Sequence, residues 1–359
     1  MRLDGAPLLV IWETTQACDV ACVHCRASAA PRRHSSELST EEAYRLLETV
    51  REFGNPLMVL TGGDPLKRPD ILPLLRRSVA LGLRTNISPS ATPLLTRETI
   101  WEFRKIGVAR MAISLDGPDA ETHDGFRDAP GEFDRAVEAL EDARRIGLET
   151  QVQTAVTRRN MHRLDEVASL AAKLGTRMWS VFFPVAAGRA SSGDQAAGDL
   201  AAEEYEQVFE KLYNISRNAP FAVKANDAVH YRRYMARRLQ ERAEPADQSR
   251  TVWRAAGVSD GRGFVFVSHT GEIYPSAFLP ISAGNVRFDS LVHVYRNSPL
   301  FVELRDCDAL RGKCGFCEYR RLCGGSRARA YALTGDYLAH DPRCVYQPCA
   351  ETAGVFQEA

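Results

Sequence analysis

Between residues 39 and about 183 the chain repeats one hydrophobic pattern. An amphipathic stretch, apolar on one helical face, runs up to a glycine, and a short apolar or β-branched run follows. The glycines are Gly54, Gly82, Gly107, Gly147 and Gly175, and the runs after them are "LMVL", "LRTNIS", "VARMAISL", "LETQVQTAV" and "TRMWSVFF". Glycine just beyond a helix end accepts the left-handed backbone that stops helices there. The first helix opens with "STEE", where Ser39 and Glu42 have capping-box spacing. Helix, glycine and strand repeated in this way give the βα rhythm of a parallel sheet. With the N-terminal run "LLVIWETT" the count is six strands, too few for a closed eight-stranded barrel. The pattern predicts an α/β fold, a partial (β/α)6 barrel.

In such sheets ligands sit at the carboxyl ends of the strands. The unusual residues all follow predicted strands. Cys18, Cys22 and Cys25 come after the first, "TGGDP" (61–65) after the second, "TNISPS" with Thr85 and Asn86 at the third, "SLDG" (114–117) at the fourth and "FFPVAAGRA" after the sixth. Residues 184–200, rich in Ala, Gly and Ser, read as a loop that ends a first domain over 1–200. Two helical stretches, about 201–217 and 227–243, make 201–259 a helical linker region, and the basic run "HYRRYMARRL" reads as a solvated helix face. From 260 the pattern turns to short hairpin-like pieces, "GFVFVSHTGEIYPSAF", and a second, smaller domain is expected over 260–359.

Composition narrows the function. Lys+Arg and Asp+Glu both number 46, so nothing points to nucleic acid or an anionic membrane surface. The opening "MRLDGAPLLVIWETT" holds neither a signal peptide nor a membrane span, which predicts a cytoplasmic protein. Nine cysteines fall in two groups, with none between Cys25 and Cys307. Without an export signal, such groups point to metal or redox chemistry rather than disulfides.

The first group reads C-x3-C-x2-C. A zinc site would need His24 as its fourth ligand, but His24 adjoins Cys25, and both binding one ion would be strained. Inert buried thiols are a second reading. A [4Fe–4S] cluster held by three thiolates, with one iron left open, is the third. The second group, Cys314, Cys317, Cys323 and Cys344, reads C-x2-C-x5-C-x20-C and suits either zinc or a second [4Fe–4S] cluster; spacing alone does not decide.

C-x3-C-x2-C on the loop after the first strand of a βα barrel resembles the signature of the radical S-adenosylmethionine (SAM) superfamily. The resemblance implies that Cys18, Cys22 and Cys25 hold a [4Fe–4S] cluster whose open iron is chelated by SAM. It implies reductive cleavage of SAM to a 5′-deoxyadenosyl radical that takes a hydrogen atom from the substrate, the reducing electron coming from an external donor such as flavodoxin or ferredoxin. Gly62, Gly63, Asp64 and Pro65 resemble the family's "GGEP", which contacts the SAM amino group, with Asp64 in place of Glu. Ser114 and Asp116 resemble the polar pair near the SAM ribose and methionine end. Arg127 is placed to pair with the SAM carboxylate, and His24 stands where an aromatic residue lies beside the adenine.

The second cysteine group resembles the SPASM or twitch extension of the same superfamily, which carries auxiliary clusters. Here Ser276 replaces the first auxiliary cysteine, and the position four after Cys323 is Arg327. One auxiliary [4Fe–4S] cluster on Cys314, Cys317, Cys323 and Cys344 is therefore expected, making two clusters in all. Cys307 and Cys349 are left over, as buried thiols or as an alternative fourth ligand. "HCRASA" and "CGGSRARAYALTGDYLAHDPRC" resemble most the SPASM-type proteins grouped with tetrapyrrole-modifying heme maturases. The implied function is a SAM-dependent oxidoreductase or maturase acting on a tetrapyrrole or other cofactor precursor. The alternatives are a peptide or protein maturase, disfavoured by the lack of a peptide-recognition segment before residue 10, and a non-catalytic iron–sulfur or zinc protein.

Overall fold

The computed structural model describes residues 3–22, 24–191, 199–241 and 258–348. The six expected strands are present as β1 (Leu9–Glu13), β2 (Leu57–Thr61), β3 (Arg84–Ile87), β4 (Arg110–Ser114), β5 (Thr150–Ala155) and β6 (Met178–Phe182). They lie side by side in chain order, all parallel. Between them run helices α1 (Thr40–Glu52), α2 (Ile71–Ala80), α3 (Arg97–Ile106), α4 (Ala120–Arg127), α5 (Glu132–Arg145) and α6 (Leu164–Lys173). Ser39 and Glu42 form the capping box at α1: the Glu42 amide donates to Ser39 Oγ at 3.2 Å, and the Ser39 amide donates back to the Glu42 carboxylate at 2.8 Å. The five helix-ending glycines all have positive φ, from 69° at Gly175 to 104° at Gly54.

The sheet is larger than the pattern predicts. After α7 (Ala202–Asn218), strand β7 (Ala222–Asn226) pairs parallel with β6, inside the stretch expected to be only helical; α8 (Tyr231–Glu241) follows. Beyond residue 260, β8 (Phe264–Val267) pairs parallel with β1, Leu9 opposite Phe264 and Trp12 opposite Val267. Only β9 (Ile273–Tyr274) makes the expected hairpin, antiparallel to β8. Among the described residues the order is β7-β6-β5-β4-β3-β2-β1-β8-β9, so the first strand of the chain is an interior strand of the sheet. The C-terminal segment adds α9 (Leu291–Asn297), α10 (Pro299–Arg305), the single turn α11 (Gly312–Gly315) and α12 (Arg327–Thr334).

The two faces of the sheet differ. Val10, Trp12, Met58, Leu60, Ile113, Val152, Val181 and Val267 point into the buried core with the helices. On β5 the alternation is complete: Thr150, Val152 and Thr154 are buried, while Gln151, Gln153 and Ala155 on the other face are half-exposed. A parallel sheet covered on both faces reads as a continuous apolar run. The alternation here shows that one face borders an open cleft.

At the carboxyl ends of β1 and β2, Arg68 locks the rim. Its side chain is 1 % exposed, lies over the Trp12 ring, donates to the Thr14 carbonyl at 3.0 Å and forks onto Asp70 at 2.7 and 3.0 Å. Arg68→Met keeps much of the apolar stem but breaks this buried pair and leaves the Thr14 carbonyl without its donor. A loss of about 3 kcal/mol is expected, read as a lower urea midpoint at unchanged m-value; an unchanged midpoint would show that the clamp contributes nothing.

Candidate active site

The cysteine loop leaves β1 at Thr14 and is closed at its neck by its own backbone. The Cys18 amide donates to Ala30 O at 2.8 Å, and the Ala30 amide donates to Gln16 O at 3.1 Å. The buried Glu37 carboxylate braces the neck, accepting from the Thr15 hydroxyl at 2.7 Å and the Gln16 amide at 3.0 Å. The turn after β2 then clasps the loop from the side: the Gly63 amide donates to Thr15 O at 2.8 Å and the Asp64 amide to Ala17 O at 2.7 Å. A Cβ on Gly63 would stand 2.4 Å from Ala17 O, and one on Gly62 2.7 Å from Thr15 O. Both positions therefore exclude any larger residue for reasons of backbone approach alone.

From the far side comes "GRA" after β6. The Arg189 amide donates to Cys25 O at 3.1 Å, its Nε to Cys22 O at 3.1 Å and its Nη1 to Ala29 O at 2.7 Å. Gly188, at φ 58°, passes so close that a Cβ would meet Arg26 O at 2.1 Å. The sequence marked this segment only as rim; it is the strap of the cysteine loop.

Held in this way, Cys18, Cys22 and Cys25 line one side of a cleft of ≈ 230 Å³. Backbone N–H groups already aim at two of the sulfurs, Val20 at Cys18 (3.4 Å) and Ala29 at Cys25 (3.5 Å), the arrangement that stabilises thiolates. Burial pushes the Cys22 thiol up to about 12 despite the pull of Arg127, so a bound metal is what would make it a thiolate. Ser88, Ser90, Ser114, Asp116 and Gln153 also line the cleft, Ser90 Oγ lying 3.6 Å from Cys18 Sγ, and Phe182, Pro184, Val185 and Phe278 make it partly apolar. Phe278 comes from the C-terminal segment, so both parts of the chain build the cleft.

The other SAM-type residues divide. Gly62, Gly63, Ser114, Asp116, Arg127 and His24 line the cleft. Asp64 does not line it: it is wholly buried, and its carboxylate accepts from Leu66 N, Ser90 N and the Thr92 hydroxyl at 3.1, 3.4 and 2.8 Å. The structure gives it, with the buried Pro65, a supporting place behind the clasp. Thr85 faces the helices, its hydroxyl 2.6 Å from Ser78 Oγ; Ser88 and Ser90 take the cleft side.

Arg127 is committed within the protein, to Asp116 and Glu132 at 2.8 Å each. Burial alone would push the Asp116 carboxyl up, but the Arg127 guanidinium beside it leads the groups that more than reverse this and hold it below the usual carboxylate range. Glu132, by contrast, is pushed up by its burial. Asp116 is thus a fixed negative wall, also gripped by the Ala155 amide at 2.7 Å. His24 packs on Phe126 with ring centres 4.5 Å apart, and its Nε2 is 3.9 Å from Asp116. Burial lowers its pKa to about 4, so the ring is neutral, and its buried Nδ1 has no hydrogen-bond partner among the described residues. An orphaned buried nitrogen at the edge of the cleft suits a polar ligand there.

A network the motifs do not announce lies at the rim of β1 and β8. Glu13, 3 % exposed, takes Arg26 on one carboxylate oxygen and His269 Nδ1 on the other, the latter at 2.6 Å. Arg26 lines the cleft and stacks over Phe266 at 4.8 Å.

The second cysteine group also converges. Cys314, Cys317, Cys323 and Cys344 line one small pocket with His230, Arg233 and Lys313. The Gly325 amide donates to Cys323 Sγ at 3.3 Å. Burial pushes the Cys317 thiol up to about 12 and the Cys323 thiol higher still. His230, wholly buried, sets Nδ1 3.5 Å from the Asp341 carboxylate, and its Nε2 has no hydrogen-bond partner among the described residues. A set of soft sulfur donors with one unmatched buried ring nitrogen beside it fits an inorganic cluster whose sulfides accept hydrogen bonds. Among the described residues no three His, Cys, Asp or Glu side chains are gathered tightly enough for a single ion. Cys307 stands apart from this pocket, 3.9 Å from Arg262 Nη1, and Cys349 lies outside the described residues.

The radical SAM superfamily profile matches residues 12–171. An AdoMet-dependent heme synthase of Oleidesulfovibrio alaskensis is 40% identical over 96% of this chain and 89% of its own length. One from Methanosarcina barkeri is 37% identical over 97% of this chain and 99% of its own. The crystal structure of Streptococcus suis SuiB bound to S-adenosylmethionine shares the fold, with a TM-score of 0.74 over 95% of this chain and 78% of that one at 16% identity. With the cysteine triplet on the loop after β1 and the glycine clasp beside it, these likenesses agree: the chain belongs to the radical SAM superfamily, in the branch that holds these heme synthases.

Proposed function

We propose that this radical SAM enzyme acts on a tetrapyrrole precursor, as a heme synthase does, and that its C-terminal cysteines would hold an auxiliary [4Fe–4S] cluster able to supply electron-transfer chemistry. The observation that carries the substrate class is the 40% identity to a heme synthase along almost the whole chain, which spans both cysteine groups. The likeness to SuiB, at 16%, supports only the fold.

When bound, a reduced [4Fe–4S] cluster and SAM supply a 5′-deoxyadenosyl radical that removes a hydrogen atom from the substrate. The residues of the chain do the rest. Cys18, Cys22 and Cys25 hold three irons, with the glycine clasp and Arg189 fixing their loop. Ser114 and Gln153 offer hydroxyl and amide groups to the polar end of SAM. The Asp116–Arg127–Glu132 chain keeps that wall rigid, and His24 Nδ1 remains to meet the adenosyl part. Phe182, Pro184, Val185 and Phe278 exclude water from the reacting atoms. Cys314, Cys317, Cys323 and Cys344 would hold the auxiliary cluster through four thiolates, which suits electron transfer. A flavodoxin or ferredoxin of a reducing cytoplasm would supply the first electron. No helix among the described residues is long and apolar enough to cross a membrane.

Anaerobically purified protein is expected to hold ~8 iron and ~8 sulfide per chain, from two clusters. Changing Cys18, Cys22 and Cys25 together to Ala should halve the iron and abolish 5′-deoxyadenosine formation while the absorbance of the C-terminal cluster stays. Iron near four together with one zinc in the unaltered protein would overturn the second cluster. Continued SAM cleavage by the triple variant would overturn the first, and no SAM cleavage by the unaltered reduced protein would favour a non-catalytic scaffold.

The substrate class is tested directly. With SAM and a reductant, a tetrapyrrole precursor should raise 5′-deoxyadenosine above the substrate-free level and appear with a changed mass. A panel of tetrapyrroles that leaves both readings unmoved, beside a peptide that moves them, would replace this reading with a peptide maturase.

A further inference from the structure

Five arginines of the described chain are buried to within a tenth of full burial: Arg68, Arg127, Arg233, Arg327 and Arg329. Four of them have a carboxylate within ion-pair distance. Arg68 has Asp70, Arg127 has Asp116 and Glu132, Arg233 has Glu206, and Arg329 has Asp341. Arg327 has none among the described residues. Its Nε donates to Gly325 O at 3.3 Å and its Nη1 to Tyr337 O and Ala339 O at 2.9 and 2.7 Å. Its Nη2 points at Cys314 Sγ, 4.0 Å away. Carbonyl dipoles satisfy N–H groups but do not neutralise a buried charge, and a buried unpaired guanidinium is costly. The group facing the open corner of the guanidinium is a sulfur of the auxiliary site.

The local backbone is shaped for that approach. Gly325 sits at φ 69°, and a Cβ there would stand 2.6 Å from Arg327 Nη2 and 3.3 Å from Cys314 Sγ. Asp260 accepts from the Arg327 and Ala328 amides at 3.0 Å each, which fixes the start of α12 and with it the root of the side chain. Arg327 also occupies the position four after Cys323 where the SPASM-like pattern would place another cysteine.

We infer that Arg327 is the countercharge of the auxiliary cluster and sets its reduction potential, as a fixed cation beside the Cys314 thiolate. The inference rests on the reading that the four cysteines hold a [4Fe–4S] cluster. A cluster that takes one electron gains one negative charge, and a cation held in a dry site favours that reduced state. Arg327 thereby makes the auxiliary cluster a better acceptor for the electron given up by the substrate radical. It is a positioning residue, since it touches a ligand and neither substrate nor SAM.

The experiment is a redox titration followed by electron paramagnetic resonance, in full-length protein carrying Ala at Cys18, Cys22 and Cys25 so that only the auxiliary signal remains. Arg327→Gln should lower the equilibrium constant for one-electron reduction at least tenfold, a fall of 59 mV in midpoint. Arg327→Lys, which keeps the charge and loses the fork, should stay within threefold of the parent. A Gln variant with an intact cluster at the parent potential overturns the inference. So does a Lys variant displaced as far as Gln, which would show that the carbonyl hydrogen bonds matter and the charge does not. If the Gln variant fails to load iron, the Lys variant decides by the same criterion. A parent protein with no iron in its C-terminal site overturns the cluster reading itself, and the inference with it; iron and sulfide counts on the parent separate that failure from the others.

Discussion

Two backbone hydrogen bonds, from the amides of Gly63 and Asp64 to the carbonyls of Thr15 and Ala17, tie the turn after β2 to the root of the cysteine loop. A loop that must offer three sulfurs to one inorganic group cannot lie in a regular element, because each cysteine has to approach from a different direction. It must nevertheless be rigid, since ligands that wander lose both metal affinity and geometry. The chain meets the two demands by pairing the loop backbone, with two side chains as braces. The neck closes on itself at Ala30, Glu37 braces it, the glycine clasp holds one flank and Arg189 the other. Asp64 then acts one layer behind, holding Leu66, Ser90 and Thr92 so that the clasp keeps its shape.

Charge is organised on the same principle at both cysteine groups. Around the first, Arg127 is shared between two carboxylates, so the wall facing the cleft keeps a defined negative group in Asp116. Around the second, Arg233 is paired with Glu206, Arg329 with Asp341, and Arg327 is turned to a sulfur. The two sites therefore differ electrostatically. One presents an anionic wall to a cofactor that arrives and leaves, and the other sits among cations suited to a permanently held anion.

How much of this the sequence disclosed follows from range. The glycine that ends each helix, the capping box of Ser39 and Glu42 and the cysteine spacings are local, and local signals survive in a string of letters. The cleft residues Ser114 and Asp116 were legible because they end a strand. Strands β7 and β8 were not. "AVKAN" puts Lys224 and Asn226 at every second position, and "FVFV" is four residues long; each becomes a strand only because β6 and β1 present an open edge to it. The Arg189 strap acts across 160 to 167 residues, and Glu13 meets His269 across 256. No periodicity reports such distances. The turned-away side chain of Asp64 was hidden for a different reason: a motif states which residue occupies a position, and packing decides which way it faces.

The place of β1 in the sheet has a bearing on how the chain is made. Its sequence, LVIWE, is apolar and strongly β-forming, and one of its two edges pairs with residues that follow roughly 250 positions later. At about 5–20 residues per second, a ribosome leaves that edge uncovered for on the order of 10–50 s. During that interval the nascent barrel exposes an unpaired apolar strand, the feature most prone to pairing with a neighbouring chain. The cysteine loop hangs from the same strand, and Phe278, which closes the cleft, arrives with the same late segment. Sheet closure and completion of the site are thus one event, reached only once residues 264–278 have been made, so a chain cut short before them would lose its solubility and its cleft together.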